Sequence, residues 1–191
     1  MILGIDPGIA NPAYVVLNPN LDKARVQVVA LGMIETRATD TIEERLESLR
    51  ISMAKLLSKH PVMLVAIEMY FAQQRQVKLK RGGFRMAHDQ NAANMHYATA
   101  AFMMPCASEA VPIKMVGPRA MKLRITGRDK ADKDMIRDSI FEISDHGGLW
   151  FDHDFLEPKE MLNTDHLRDA CGMALYSLSK ARFNKLLDYR R

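Results

Sequence analysis

The sequence predicts an α/β fold, a mixed five-stranded sheet flanked by helices, in one domain spanning residues 1–191. Three observations carry this expectation. Three short β runs crowd the N-terminus, with links short enough for antiparallel hairpins. Helical and strand patterns alternate after them. One later run, Val62 to Glu68, is apolar with little alternation, as a strand buried on both faces should be.

Residues 1–5, 12–17 and 25–34 read as the hairpin strands. Asn11-Pro12 opens the second, and Asn18-Pro19-Asn20 is the turn before the third. Thr41 and Glu44 form a Thr-x-x-Glu capping pattern. Ile42, Leu46, Leu49, Met53 and Leu56 follow at spacings of three and four, so a helix is expected up to His60-Pro61. Val62 to Glu68 is the fourth strand. Residues 72–85 read as a basic loop, with Arg75, Lys78, Lys80, Arg81 and Arg85, no acid, and Gly82-Gly83 in its middle. A helix is expected over 86–104. Met86, Ala93, Tyr97, Ala100 and Met104 line one side of it, and Ala92, Met95, Thr99 and Phe102 line another. A helix apolar on two sides is covered twice, by the sheet and by a loop or a second subunit. Val111 to Val116 is the fifth strand. Short helices follow, one from Pro118 to Thr126-Gly127 and one over 130–143. Residues 144–162 read as loop, and a last helix covers 163–181.

Composition excludes several classes. The chain has 191 residues, 48% hydrophobic and 26% charged, which is ordinary for a globular protein. No apolar run reaches the roughly 18 residues of a membrane span. The N-terminus reads as a strand and not as a signal peptide. Cys106 and Cys171 form no CxxC, so reduced thiols and a cytoplasmic setting are expected. The net charge of +4 matters less than its concentration in the basic loop.

Chemistry concentrates at three distant places. MILGIDPG ends a strand in Asp6, with Pro7-Gly8 breaking it at once. Glu68 ends VMLVAIE, and Asp165, His166 and Asp169 open the last helix in NTDHLRDACGMAL. Taken alone, Asp6 could cap a turn, Glu68 could be an exposed strand end, and Asp165 could answer the helix dipole. Taken together, several carboxylates in apolar settings repel one another unless cations relieve them. Hard oxygen donors suit Mg²⁺ or Mn²⁺. Two such ions about 4 Å apart can activate water for phosphodiester cleavage. His166 and Asp169 are three apart and share a helix face. His166 suits either metal ligation or proton transfer. The basic loop suits a nucleic-acid backbone, and the expected salt dependence is steep. Asp152-His153-Asp154 reads as a packed loop. His60, His88, His96 and His146 lack zinc spacing.

These stretches resemble one family. MILGIDPGIANPAYVVL looks like the first strand and hairpin of the RuvC-like Holliday-junction resolvases, and VAIEMYFAQQ resembles their second motif. PRAMKLRITGRDKADKDMI is similar to their third region, and HLRDACGMAL to their closing helix. The resemblance implies a ribonuclease H-like fold and a homodimeric, metal-dependent endonuclease that resolves four-way DNA junctions by paired nicks. Two Mg²⁺ ions per site, or Mn²⁺, are implied. By motif matching, Asp6, Glu68 and Asp169 are the catalytic carboxylates and His166 takes the fourth position; Asp165, one place off and four before Asp169, is the other candidate for the fourth metal ligand. Phe71 matches the family's aromatic near the junction centre, and Lys122 and Lys133 match its two lysines. The stretch after Phe71 is more basic than the usual bacterial pattern, and bacterial and phage origins both fit. A branch-migration motor is not readable. The rival expectations are a structure-selective nuclease for flaps and other branched DNA, a non-catalytic junction binder, and an actin-like ATPase, for which 191 residues are too few.

Overall fold

Period-two patterning places the first strand between two layers. In β1 (Ile2–Asp6), Leu3 and Ile5 are fully buried on one face, while Ile2, Gly4 and Asp6 point to the other. β1 pairs antiparallel with β2 (Ala13–Asn18), and β2 pairs antiparallel with β3 (Val26–Met33), as the short links require. β4 (Leu64–Glu68) returns parallel to β1, with Ile5 opposite Ile67, so Asp6 and Glu68 end neighbouring strands side by side. The structure, a computed structural model, describes residues 1–19, 26–70, 75–78, 84–87, 90–145, 149–151 and 162–178.

α1 (Ile42–Lys59) connects β3 to β4. Its capping box is complete: the Thr41 hydroxyl accepts from the Glu44 amide at 3.3 Å, and the Glu44 carboxylate accepts from the Thr41 amide at 2.8 Å. Such a cap contributes about 1 kcal/mol. α2 (Gln90–Ser108) packs beside α1, and together they cover Leu3, Ile5, Val16, Val65 and Ile67 with Leu49, Met53, Ala98 and Phe102. β7 (Ile113–Val116) lies parallel to β4 at one sheet edge. α3 (Pro118–Thr126) stops at Gly127, whose φ of 75° suits a residue without a Cβ. α4 (Lys133–Asp145) starts where Asp132 accepts from the Met135 amide at 2.8 Å. α5 (Asp165–Tyr176), capped by Thr164, lies across β1 and β2 on the face opposite α1 and α2. No helix among the described residues is long and apolar enough to cross a membrane.

Three expectations change. The 144–162 stretch is not all loop: β8 (Leu149–Phe151) adds a short sixth strand parallel to β3, so the sheet runs β7-β4-β1-β2-β3-β8. Three residues are too few for a period to register in sequence. The basic loop contains an antiparallel hairpin, β5 (Arg75–Lys78) with β6 (Phe84–Ala87), separate from the main sheet. Met86 therefore belongs to that hairpin, and α2 begins later and continues through Pro105. The second apolar side of α2 is exposed in the single chain: Tyr97 is 53% and Met104 60% accessible. The C-terminal residues 179–191 and the Asp152-His153-Asp154 group lie outside the described residues.

Candidate active site

The C-terminal ends of β1, β4 and β7 lie together because these three strands are parallel neighbours. Chain ends after parallel strands are where open α/β sheets hold their ligands. Strand parity then turns Asp6 and Glu68 toward α5. Ala66, two before Glu68, sits in the α5-side core, while Val65 and Ile67 sit in the opposite one.

Gly4 lets α5 come close. A Cβ there would overlap the Ala170 carbonyl oxygen and stand 2.8 Å from the Ala174 nitrogen. The helix can lie against the bare backbone of β1, one turn beyond the level of Asp6. The turn after Asp6 is pinned by Arg45 of α1, which donates to the Ile9 carbonyl at 3.1 Å and to Thr36 Oγ1 at 2.9 Å. Thr36 in turn donates to the Ile9 carbonyl at 2.6 Å.

The result is a cleft of about 830 Å³ lined by Asp6, Glu68, His166, Asp169 and Lys133 on its polar side. Met69, Tyr70, Met95 and the Gly117-Pro118-Arg119-Ala120 start of α3 form the rest. His166 Nδ1 lies 2.7 Å from Asp6 Oδ2. Glu68 and Asp6 interact directly, which raises Glu68 and lowers Asp6. Burial, and then the charge of Asp169, raises Asp6 to about 7. Burial raises Glu68 to about 8, with the charge of Asp6 adding to it. Asp169 is raised by burial too, against the pull of Lys133. Burial raises all three acids, Asp6 and Glu68 the most, even though Lys133 and Arg119 line the same cleft.

The donor chemistry fits a divalent cation. All three acids offer hard oxygens, and their mutual repulsion is what such an ion relieves. As they stand, no three acidic, histidine or cysteine groups among the described residues close on a single point. Asp6 Oδ2 is taken up by His166 instead.

Other expected residues fall elsewhere. Asp165 does not line the cleft. It pairs with Lys133 Nζ at 2.5 Å and with Arg168, and Lys133 foremost holds it below the usual carboxylate range. Lys122 donates to the Ala131 carbonyl at 2.8 Å, and its charge still reaches Glu68 and Asp169. Arg75, Lys78 and Arg85 are on the β5–β6 hairpin, while Phe71, Lys80 and Arg81 lie outside the described residues. His96 meets the edge of Tyr70, ring centres 6.2 Å apart, and buried His60 ends α1.

Sequence reasoning missed Arg119, Tyr70, Met95 and Gly4. Arg119 stood one residue after Pro118, in the helix start that enters the cleft. Glycine inside a strand signals close backbone approach.

Residues 2–144 match the family model described as crossover junction endodeoxyribonuclease RuvC. The chain belongs to that family. Among curated relatives, the RuvC of Gloeobacter violaceus is 31% identical over 139 residues, 73% of this chain and 72% of its own. That of Rhodopirellula baltica is 28% identical over 136 residues, 71% of this chain and 68% of its own. Among solved structures, T. thermophilus RuvC in complex with Holliday junction substrate superposes with a TM-score of 0.72 at 20% identity, covering 96% of both chains. The yeast mitochondrial Holliday junction resolvase Ydc2 gives 0.66 at 14% identity, covering 99% of this chain and 82% of the other. At these identities the likeness carries the ribonuclease H-like fold alone. The stretch matched by the family model contains Asp6 and Glu68, while His166 and Asp169 lie beyond it.

Proposed function

We propose that this RuvC-family chain resolves four-way DNA junctions by paired, symmetric, metal-dependent nicks. The observation that carries the reading is the meeting of Asp6, Glu68 and Asp169, drawn from β1, β4 and α5, in one cleft where burial raises all three. Asp6, Glu68 and Asp169 would hold the cations, with His166 as the fourth member. Bound there, two Mg²⁺ or Mn²⁺ ions would supply an activated water and neutralise charge at the departing oxygen. His166, beside Asp6, is placed to hold or move a proton at Nδ1. Lys133 and Arg119 line the same cleft and answer the charge of a phosphate, and the amide end of α3 adds to them. The basic stretch 72–85, with Arg75, Lys78, Lys80, Arg81 and Arg85, tracks the flanking backbone. Phe71 stacks at the junction centre, and Lys122 contributes charge from behind the acids.

A four-way junction has two-fold symmetry, so two matching cuts need two active sites related the same way. The exposed side of α2, with Tyr97 and Met104, is the surface for a second copy. The protein works in the cytoplasm of a bacterial cell or a phage-infected host.

One gel tests this. A labelled four-way junction, a flap and a duplex are incubated with and without Mg²⁺, beside an Asp6→Asn variant. The expected result is symmetric nicking of the junction alone, with Mg²⁺ alone, by the unsubstituted protein alone. Equal cutting of flaps would make it a broader branched-DNA nuclease, and tight binding without cutting would make it a junction binder.

A further inference from the structure

Asp165 is adjacent to His166 yet faces a different partner. Its two oxygens are divided between Lys133 on α4 and Arg168 on its own helix. Arg168 is itself fixed: its side chain is only 12% exposed, and its other nitrogen donates to the Leu162 carbonyl at 3.0 Å. Thr164 caps the helix beneath them, accepting from the Leu167 amide at 3.2 Å. The chain of contacts therefore runs from a backbone carbonyl, through a nearly buried guanidinium, to a half-buried carboxylate. It ends on a lysine whose side chain is 70% exposed.

That last link is the informative one. An exposed lysine ordinarily samples many rotamers. Here the amine is tethered at the rim of the cleft, and its charge reaches both Asp6 and Asp169. An ammonium has three donors, so a bond to Asp165 leaves it able to donate to a phosphate oxygen at the same time. We propose that Asp165 is a positioning residue, which holds the Lys133 amine at the cleft mouth for the phosphate being cut and does not ligate the metal. This rests on the nuclease reading above and gives Asp165 a different task from Asp169, four residues on.

The test is a double-substitution cycle on junction nicking in Mg²⁺, with Asp165→Asn, Asp165→Glu, Lys133→Ala and the Lys133→Ala/Asp165→Asn pair. Mn²⁺ binding is measured on each by electron paramagnetic resonance. Asp165→Asn should lower kcat by about ten- to a hundredfold, the scale of a misplaced group, with KM nearly unchanged. Asp165→Glu should recover part of it. In the Lys133→Ala background the same change should cost nothing further, and Mn²⁺ affinity should stay as in the unsubstituted protein. A loss of Mn²⁺ affinity, or an undiminished kcat loss without Lys133, would make Asp165 a ligand and overturn the proposal. Unchanged nicking by Asp165→Asn or by Lys133→Ala would overturn it as well, while leaving the acid site standing. Failure of the nuclease reading itself would appear separately, as no Mg²⁺-dependent nicking by the unsubstituted protein.

Discussion

Removing one acid from the cleft should make the metal-free protein more stable, and more so as pH rises. Asp6 and Glu68 bind protons more tightly in the folded chain than in the unfolded one, because burial disfavours their charged forms. Stability from this source is therefore greatest near pH 4, falls as pH climbs, and levels off above about 8. Moving Asp6 from 3.8 to about 7 spans about three pH units, or about 4 kcal/mol at roughly 1.4 kcal/mol each. The Glu68 shift partly counts the same repulsion, so the pair is worth well under twice that. The assay is chemical unfolding of the unsubstituted protein and Asp6→Asn in EDTA, from pH 5 to 8.5. The difference between the two cancels the titration of other groups. The variant should gain on the parent by about 2–4 kcal/mol across that range. Millimolar Mg²⁺ should restore the parent at pH 8 and leave the variant little changed. A pH-independent difference, or a variant less stable at pH 8 than its parent, would refute the electrostatic description of the site.

Further outcomes follow from the packing and the charge. Gly4→Ala should cost at least about 1–3 kcal/mol in unfolding, since the clash is with helix backbone and not a flexible side chain. It should also reduce nicking about a hundredfold, because the helix it displaces carries Asp169. Near-parental stability and activity would deny the close approach of α5. Replacing Arg75, Lys78, Lys80 and Arg81 together with alanine should flatten the plot of log affinity for the junction against log salt by up to about 3.6 in slope. An unchanged slope removes this basic stretch from the interface. Sedimentation at micromolar concentration should give a dimer mass, and Met104→Asp should give a folded monomer. A monomer for the unsubstituted chain counts against the α2 interface.

The acids were legible in sequence because each ends a recognisable apolar run. Asp6 and Glu68 stand where strand patterning stops, and Asp169 interrupts a buried helical stripe. Their meeting was legible only as a conditional, since strand order depends on β4 returning parallel beside β1. Nothing in the β4 residues alone says which edge they will pair with. β8 escaped because three residues carry no period. The hairpin inside the basic loop escaped because charge hid its alternation. Asp165 was misleading for a different reason. Helix periodicity allows it to share a face with Asp169, yet its side chain turns to Lys133 and Arg168, partners 32 and 3 residues away. Gly4 was visible as a glycine in a strand, but its meaning depends on which helix lies over it.

The most direct measurement is Mn²⁺ binding, followed by electron paramagnetic resonance, to the unsubstituted chain and to Asp6→Asn, Glu68→Gln and Asp169→Asn. Acids from three separate elements that serve one cation site should each be needed, so every single substitution should weaken binding by at least about tenfold. If any one variant binds Mn²⁺ as tightly as its parent, the three acids do not share a site.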